Sequence, residues 1–307
     1  MIKNFFIGID IGGSKVHFGL IDKNLDILND KKVLLIKTGC IEKDLDFILS
    51  DLKKFLNENS LKNEDLEHIG ICVPSVLDKK RESVLWTPNI EGWENYNIKR
   101  YFLKEMGINT SISHDIKAAA LGEFEKVYRG KVKNMVFISI GTGIGAGIII
   151  NEKIFYGENN LSGSIGWFIN SRNEIYKERK IKNSGWLETN SSGIYFNRIL
   201  NKFKDIPNDY SFPKEILKLY KNGDKKAIFL INNMMDCLGI AISNILSLLD
   251  INTIVIGGSI GLDLDVFFDY LSKIIKKDCN PYTSRNIKIS LSKIKNAALI
   301  GAVVDRF

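Results

Sequence analysis

Three short glycine turns, each directly behind an apolar strand, constrain this 307-residue chain more than any other feature. They are DIGGSK at 10–15, GTGIG at 141–145 and IGGSIG at 256–261. A backbone without Cβ atoms can approach a phosphate closely and point successive N–H groups at it. One such run alone reads as a tight hairpin; three of them point to an anionic ligand. Gly12, Gly13, Gly141, Gly143, Gly145, Gly257 and Gly258 are the candidate phosphate-facing glycines, and Ser14 and Thr142 add hydroxyl donors. Asp10, at the end of the first strand, can orient a hydrated magnesium ion, which prefers few carboxylates and several waters. Lys15 can neutralise phosphate charge. The run GTGIGAG is followed by the strand-like IIIN, where a dinucleotide fingerprint needs a helix. No Gly-Lys-Ser/Thr follows the glycines either, which excludes a Walker A loop.

The pattern along the chain is α/β. FFIGID reads as a buried strand, and VHFGLID alternates with Val16, Phe18 and Leu20 on one face. Residues 43–59 carry apolar side chains at helical spacing. HIGICVPSVLD is a strand running into a proline turn, and NIKRYFLKEMG a helix closed by Gly107. NTSISHD then feeds the helix in SHDIKAAALGEF (113–124). Asp115 stands there just ahead of the apolar run, where a cap would sit. Its carboxylate is a cap, or is aimed outside the helix, or both. A second lobe opens like the first, with strand NMVFISI, glycine turn, and strand IIINEKIFYG. Residues 157–193 read as irregular. Helices follow at 194–204, 213–222 and 224–249, then strand NTIVIGGSIG, helix DVFFDYLSKIIKK and closing helix NAALIGAVVDRF. The expected division is 1–115 with the helix 296–307 packing back on it, and 116–295.

Composition narrows the function classes. Hydrophobic residues make up 45% and charged residues 26%, an ordinary globular balance. No stretch approaches the ~20 apolar residues that span a bilayer, so no membrane segment is expected. The apolar start runs into a glycine turn instead of a cleavage site, as in a cytoplasmic protein. Cys40, Cys72, Cys237 and Cys279 are far apart, which excludes the common zinc spacings and a disulfide framework. The net charge of +7 comes from lysines spread along the whole chain, with no aromatic interleaving. That is a solvated basic surface that favours anionic ligands such as nucleotides, with no nucleic-acid partner expected.

The segments GIDIGGSKVHFGLID, VPSVLD, TPNIEGW, HDIKAAALGEF, FISIGTGIGAGIIINEKIFYG, GWLETNSSG and VIGGSIG resemble, in order, those of the ROK family (repressors, open reading frames and kinases). The resemblance implies the two-lobed actin-like ATPase (ribonuclease H-like) fold, a duplicated α/β unit with ATP, Mg2+ and a sugar in the cleft. It also implies a homodimer through the second lobe. Asp115 falls on the family's catalytic base, which fits the chemistry. Phosphoryl transfer needs a positioned carboxylate to orient the attacking hydroxyl and accept its proton. Glu188 matches a glutamate that hydrogen-bonds the sugar, and Asn89 an asparagine near it.

The departures fall on the sugar side. Ser164 stands for a sugar-facing glutamate and Trp167 for a histidine that faces the sugar and joins three cysteines on a structural zinc. No cysteine lies between 168 and 187, so all four ligands are missing and no zinc site is expected. Trp167, Phe168 and Trp186 are the candidates for an apolar replacement core. His114 stands for an asparagine beside the base, Lys117 for the motif's second asparagine, and Ser75 for a glycine after Pro74. A changed set of polar groups implies a changed sugar preference. A shorter Ser164 makes room for an N-acetyl group, whose methyl Trp167 can cover. The resemblance therefore implies a 6-hydroxyl hexose kinase of the zinc-lacking branch, with N-acetylmannosamine favoured in sialic acid catabolism. Glucokinase or another hexose or β-glucoside kinase is the alternative, and an inactive sugar sensor the alternative of another class. A repressor is disfavoured because Asp10 leaves no room ahead of it for a helix-turn-helix domain.

Overall fold

The computed structural model describes residues 5–88, 90–170, 184–200 and 212–305, the side chains of 197–200, 212–215 and 265 excepted. In chain order the elements are strands β1 (Phe5–Ile11), β2 (Lys15–Ile21) and β3 (Ile27–Leu34), helix α1 (Ile41–Glu58), strands β4 (Leu66–Val73), β5 (Val76–Leu77) and β6 (Val84–Trp86), and helix α2 (Ile98–Met106). Strand β7 (Thr110–His114) leads into α3 (Asp115–Glu123), followed by β8 (Met135–Ile140), β9 (Ile144–Ile150) and β10 (Lys153–Ile154). Helices α4 (Trp186–Ser191), α5 (Gly193–Leu200), α6 (Phe212–Lys221) and α7 (Lys225–Leu249) precede β11 (Thr253–Gly257). The chain closes with α8 (Phe268–Asp278), α9 (Pro281–Arg285), β12 (Lys288–Leu291) and α10 (Ala297–Val304).

Two compact units result. One comprises residues 1–133, 147–162 and 293–307, the other 134–146 and 163–292. In the first, the sheet order is β3-β2-β1-β4-β7, with β1, β4 and β7 parallel and β2 and β3 antiparallel. Apolar residues every three or four positions give α1 one buried stripe: Leu45, Ile48, Leu49, Leu52, Phe55 and Leu56. That stripe packs with Ile7, Ile9, Phe18 and Phe102, and the rings of Phe18 and Phe55 stack at 6.0 Å. Gly107 ends α2 in the left-handed conformation, φ 68°.

The other face of this sheet is covered as well. Phe6, Ile21, Leu299 and Val303 form a second cluster under α10. This explains why β2 departs from the expected alternation: all of Val16–Ile21 is buried, because each face has its own helix layer. α3 also packs on α10, through Ala118 and Gly122 against Ala297 and Gly301. That backbone-to-backbone approach draws α3 into the first unit, past the boundary expected at residue 115.

The second sheet runs β10-β9-β8-β11-β12, with β8, β11 and β12 parallel. The strand expected through IIINEKIFYG divides into β9 and β10, because Asn151 and Glu152 turn with φ 51° and 65°. β12 has no counterpart in the sequence reading; it is four residues long, partly exposed, and paired to β11. The region 157–193, expected to be irregular, contains a 3₁₀ turn at Ile165–Trp167 and the short α4. By length and composition α7 could cross a membrane, which corrects the expectation that no stretch approaches that length. Ile231, Met234, Leu238, Ile242 and Leu246 are buried along it, against α4 and α8, as in a core helix.

Candidate active site

In the first unit the sheet register brings one polar row together. Asp10 pairs with His17 on β2 and with Cys72 on β4, and Cys72 pairs with Ser113 on β7. The buried Cys72 thiol donates to Asp10 Oδ1 at 3.5 Å, and burial pushes that thiol well above its ordinary value. Burial, and next the negative charge of Asp115, push the Asp10 carboxyl up to about 6; Cys72 and Lys32 act against them. The Ser113 and Ser75 hydroxyls are buried with no hydrogen-bond partner among the described residues.

Asp115 is the first residue of α3, and His114 takes the cap position instead. Asp115 Oδ1 accepts from the Ile116 N–H at 2.7 Å and lies 2.9 Å from His114 Nδ1. That nitrogen is also 3.3 Å from the Ile116 nitrogen, but it cannot both donate and accept. Beside a carboxylate it acts as the donor. Burial alone would raise the Asp115 carboxyl. The charge and hydrogen bond of His114, the Ile116 N–H and Lys117 outweigh it and hold the group below its ordinary 3.8. The side chain is 32% exposed, and its Oδ2 makes no hydrogen bond among the described residues. The result is an ionised carboxylate with one oxygen fixed and the other open.

The first glycine turn is closed by the Gly12 N–H on the Lys15 carbonyl at 2.8 Å, so Gly12 shapes the turn. Ser14 and Lys15 are exposed, and the Ser14 carbonyl accepts from Leu35 at 2.9 Å. Asn89 lies outside the described residues.

In the second unit two glycine turns meet. The Ile260 N–H donates to the Ile140 carbonyl at 2.9 Å, and Gly258, φ 85°, would place a Cβ 2.4 Å from that same oxygen. A Cβ on Gly141 would lie 3.4 Å from the Ser259 hydroxyl. Thr142 is exposed at the turn, whereas Gly145 is a buried member of β9. Glu188 holds the turn from beneath. Its Oε2 accepts from the Ile144 N–H at 3.1 Å, and Gly143 leaves room for it. Burial raises the Glu188 carboxyl, against hydrogen bonds from Ile144 and Ser184. The start of α5 adds the Gly193 N–H on the Gly141 carbonyl at 2.8 Å and the Ile194 N–H on the Thr142 carbonyl at 3.1 Å. Ser164 and Trp167 are exposed, Trp167 to 60%. Trp167 is therefore not part of a replacement core, and Phe168 and Trp186 are only partly buried. Ser259 lies beside Gly141 and Cys72 beside Asp10, and both escaped the sequence reading. Ser259 had a signal, since GGS at 257–259 repeats GGS at 12–14. Cys72 had none, because only register places it beside Asp10.

The chain matches the ROK family over residues 6–304. It belongs to that family. Among its ROK relatives, the N-acetylmannosamine kinase of Escherichia coli O6:H1 is 28% identical over 280 residues, 89% of this chain and 90% of that protein. The xylose repressor of Caldicellulosiruptor bescii is 25% identical over 305 residues, 96% of this chain and 75% of that protein. A ROK family glucokinase from Streptomyces griseus, solved with glucose and AMPPNP, superposes with a TM-score of 0.73 at 23% identity over 98% of each chain. The fold is thus the actin-like ATPase α/β fold of ROK sugar kinases, and its relatives include both kinases and repressors.

Proposed function

We propose that this chain is an ATP-dependent kinase that phosphorylates the 6-hydroxyl of a hexose, with N-acetylmannosamine the favoured substrate and N-acetylmannosamine 6-phosphate the product. The observation that carries the reading is Asp115: a carboxylate kept ionised by His114, fixed through Oδ1, with Oδ2 open. Such a group orients a sugar hydroxyl and takes its proton as the hydroxyl attacks the γ-phosphate. Gly141–Gly143 and Gly257–Ser259 are the backbone proposed to hold the ATP phosphates, with the hydroxyls of Ser14, Thr142 and Ser259 as further donors. Asp10 suits magnesium: it is a single carboxylate whose neighbours are a thiol and a second carboxylate, as for an ion that keeps most of its waters. Bound there, the ion would offset phosphate charge.

Ser164 and Trp167 support the substrate choice. Both are exposed, and a short side chain at 164 with an indole face at 167 suits the size and apolar methyl of an N-acetyl group. Glu188 is engaged by the Ile144 N–H, and its role toward the sugar is through the carboxylate edge that remains. Ser75, Asn89 and His114 complete the proposed sugar set. A cytoplasmic homodimer without membrane or nucleic-acid partners accompanies this reading.

ATP consumption with magnesium over N-acetylmannosamine, N-acetylglucosamine, glucose, mannose, fructose and a β-glucoside tests it. The highest kcat/KM is expected on N-acetylmannosamine. Preference for glucose would overturn the substrate, and sugar binding without turnover on any member would overturn the kinase.

A further inference from the structure

Lys117 is a lysine only 4% exposed, inside an otherwise apolar stretch of α3. A buried ammonium is costly unless its donors are met. Here Nζ donates to the carbonyl of Ser162 at 2.8 Å and to that of Asn160 at 3.1 Å. Burial brings this ammonium down to about 8, against the charges of Asp115 and Asp305. The segment it grips is held elsewhere too. Asn160 adopts φ 59°, and its side chain donates to the Asp78 carbonyl at 2.6 Å. The Tyr156 hydroxyl meets Arg81 Nη1 at 2.5 Å and also the Asp305 carboxylate, which Arg81 pairs at 2.7 Å. Residues 156–162 are thus tied to α3, to the turn between β5 and β6, and to the residue after α10. The chain then passes through Gly163, φ 79°, directly into Ser164 and the turn ending at Trp167.

We propose that Lys117 is a positioning residue for sugar selection: by locking Asn160 and Ser162 to the helix that begins with Asp115, it fixes the point from which the chain enters Gly163–Trp167. The inference rests on the kinase reading, which assigns Ser164 and Trp167 to the sugar. Two carbonyls converging on one ammonium suit a long cationic side chain with several donors. The shorter asparagine that the family motif has at this position offers less reach and no charge.

The test compares wild type with Lys117→Met, which keeps the apolar stem and removes the donors, and Lys117→Arg, which restores them. Lys117→Met is expected to raise the sugar KM about tenfold or more with the ATP KM within about twofold, since two buried carbonyls lose their partner. Lys117→Arg is expected to recover part of the loss. Hydrogen exchange reads the tie without catalysis: the Ser162 amide, which donates to Tyr156 at 3.1 Å, is expected to exchange faster in Lys117→Met. Should Lys117→Met fail to fold, Asn160→Gly removes the Asp78 tie at a backbone angle glycine tolerates, and the sugar KM should rise in the same direction. Sugar and ATP KM rising together would overturn the proposal, as would an unchanged sugar KM or an unchanged Ser162 exchange rate. If wild type turns over no sugar, the kinase reading fails, and the exchange experiment still decides whether Lys117 holds the segment.

Discussion

Partial burial acts on the carboxyls of Asp115 and Asp10 in the same direction, raising both, yet the two reach opposite ionisation behaviour. Burial and the negative charge of Asp115 raise Asp10 to about 6 against the thiol of Cys72; Asp115 has His114 and a backbone N–H, which outweigh burial, and falls below 3.8. The sign of the effect on stability follows. A carboxyl whose folded value is depressed binds fewer protons when folded than when unfolded. Its contribution is therefore present above the ordinary value of 3.8 and is lost as pH falls through the folded value. Thermal unfolding of wild type and Asp115→Asn across pH should show a Tm gap that is largest near neutrality and closes at acid pH. A gap that widens on acidification would mean that the carboxyl is raised. Asp115 was legible in the sequence because a motif surrounds it, and the groups that hold it ionised are its own neighbours, His114, Ile116 and Lys117. The electrostatic setting of Asp10 was not legible, since the row Asp10–Cys72–Ser113 joins three strands that only register aligns.

At the scale of elements, α3 and α10 are joined by the absence of side chains. A Cβ on Gly301 would fall 1.7 Å from the Ala118 carbonyl oxygen, and one on Gly122 2.0 Å from that of Ala297; both neighbours are backbone. Alanine ordinarily stabilises a helix interior by about 1 kcal/mol relative to glycine. Here steric crowding wins, because overpacking against a backbone costs about 1–3 kcal/mol or more. Gly301→Ala should therefore lower Tm by several degrees. A rise would mean that the two helices are not in this contact. Long amphipathic helices and apolar strands were readable from period alone. β12 was not: KISL is short and partly exposed, and its pairing with β11 comes from a residue 35 positions earlier, Thr253 to Lys288. The second buried face of β2 was hidden for the same reason, since the helix that covers it lies at the other end of the chain.

The whole molecule is threaded. The first unit takes its residues from three stretches, and the chain re-enters it at 147–162 and again at 293. The division expected from the sequence, 1–115 with 296–307 and then 116–295, has no stretch such as 147–162, because re-entry there is decided by packing that no local pattern encodes. The metal question also belongs at this scale. The sequence has no cysteine between 168 and 187, and the described residues hold no cluster of three or more histidine, cysteine or acidic side chains suited to a metal. A structural zinc site would supply folding energy that a chelator removes. The protein treated with a chelator is expected to keep its Tm, and a marked fall with zinc released into solution would refute the metal-free reading. The central claim, that Asp115 is the base of a sugar kinase, is tested most directly by kcat of Asp115→Asn on the best sugar of the panel, with ATP and sugar binding followed by calorimetry. The account predicts a fall in kcat of about 10²–10⁴-fold with both ligands still bound. A variant that turns over at the wild-type rate would show that the proton goes elsewhere and would contradict it.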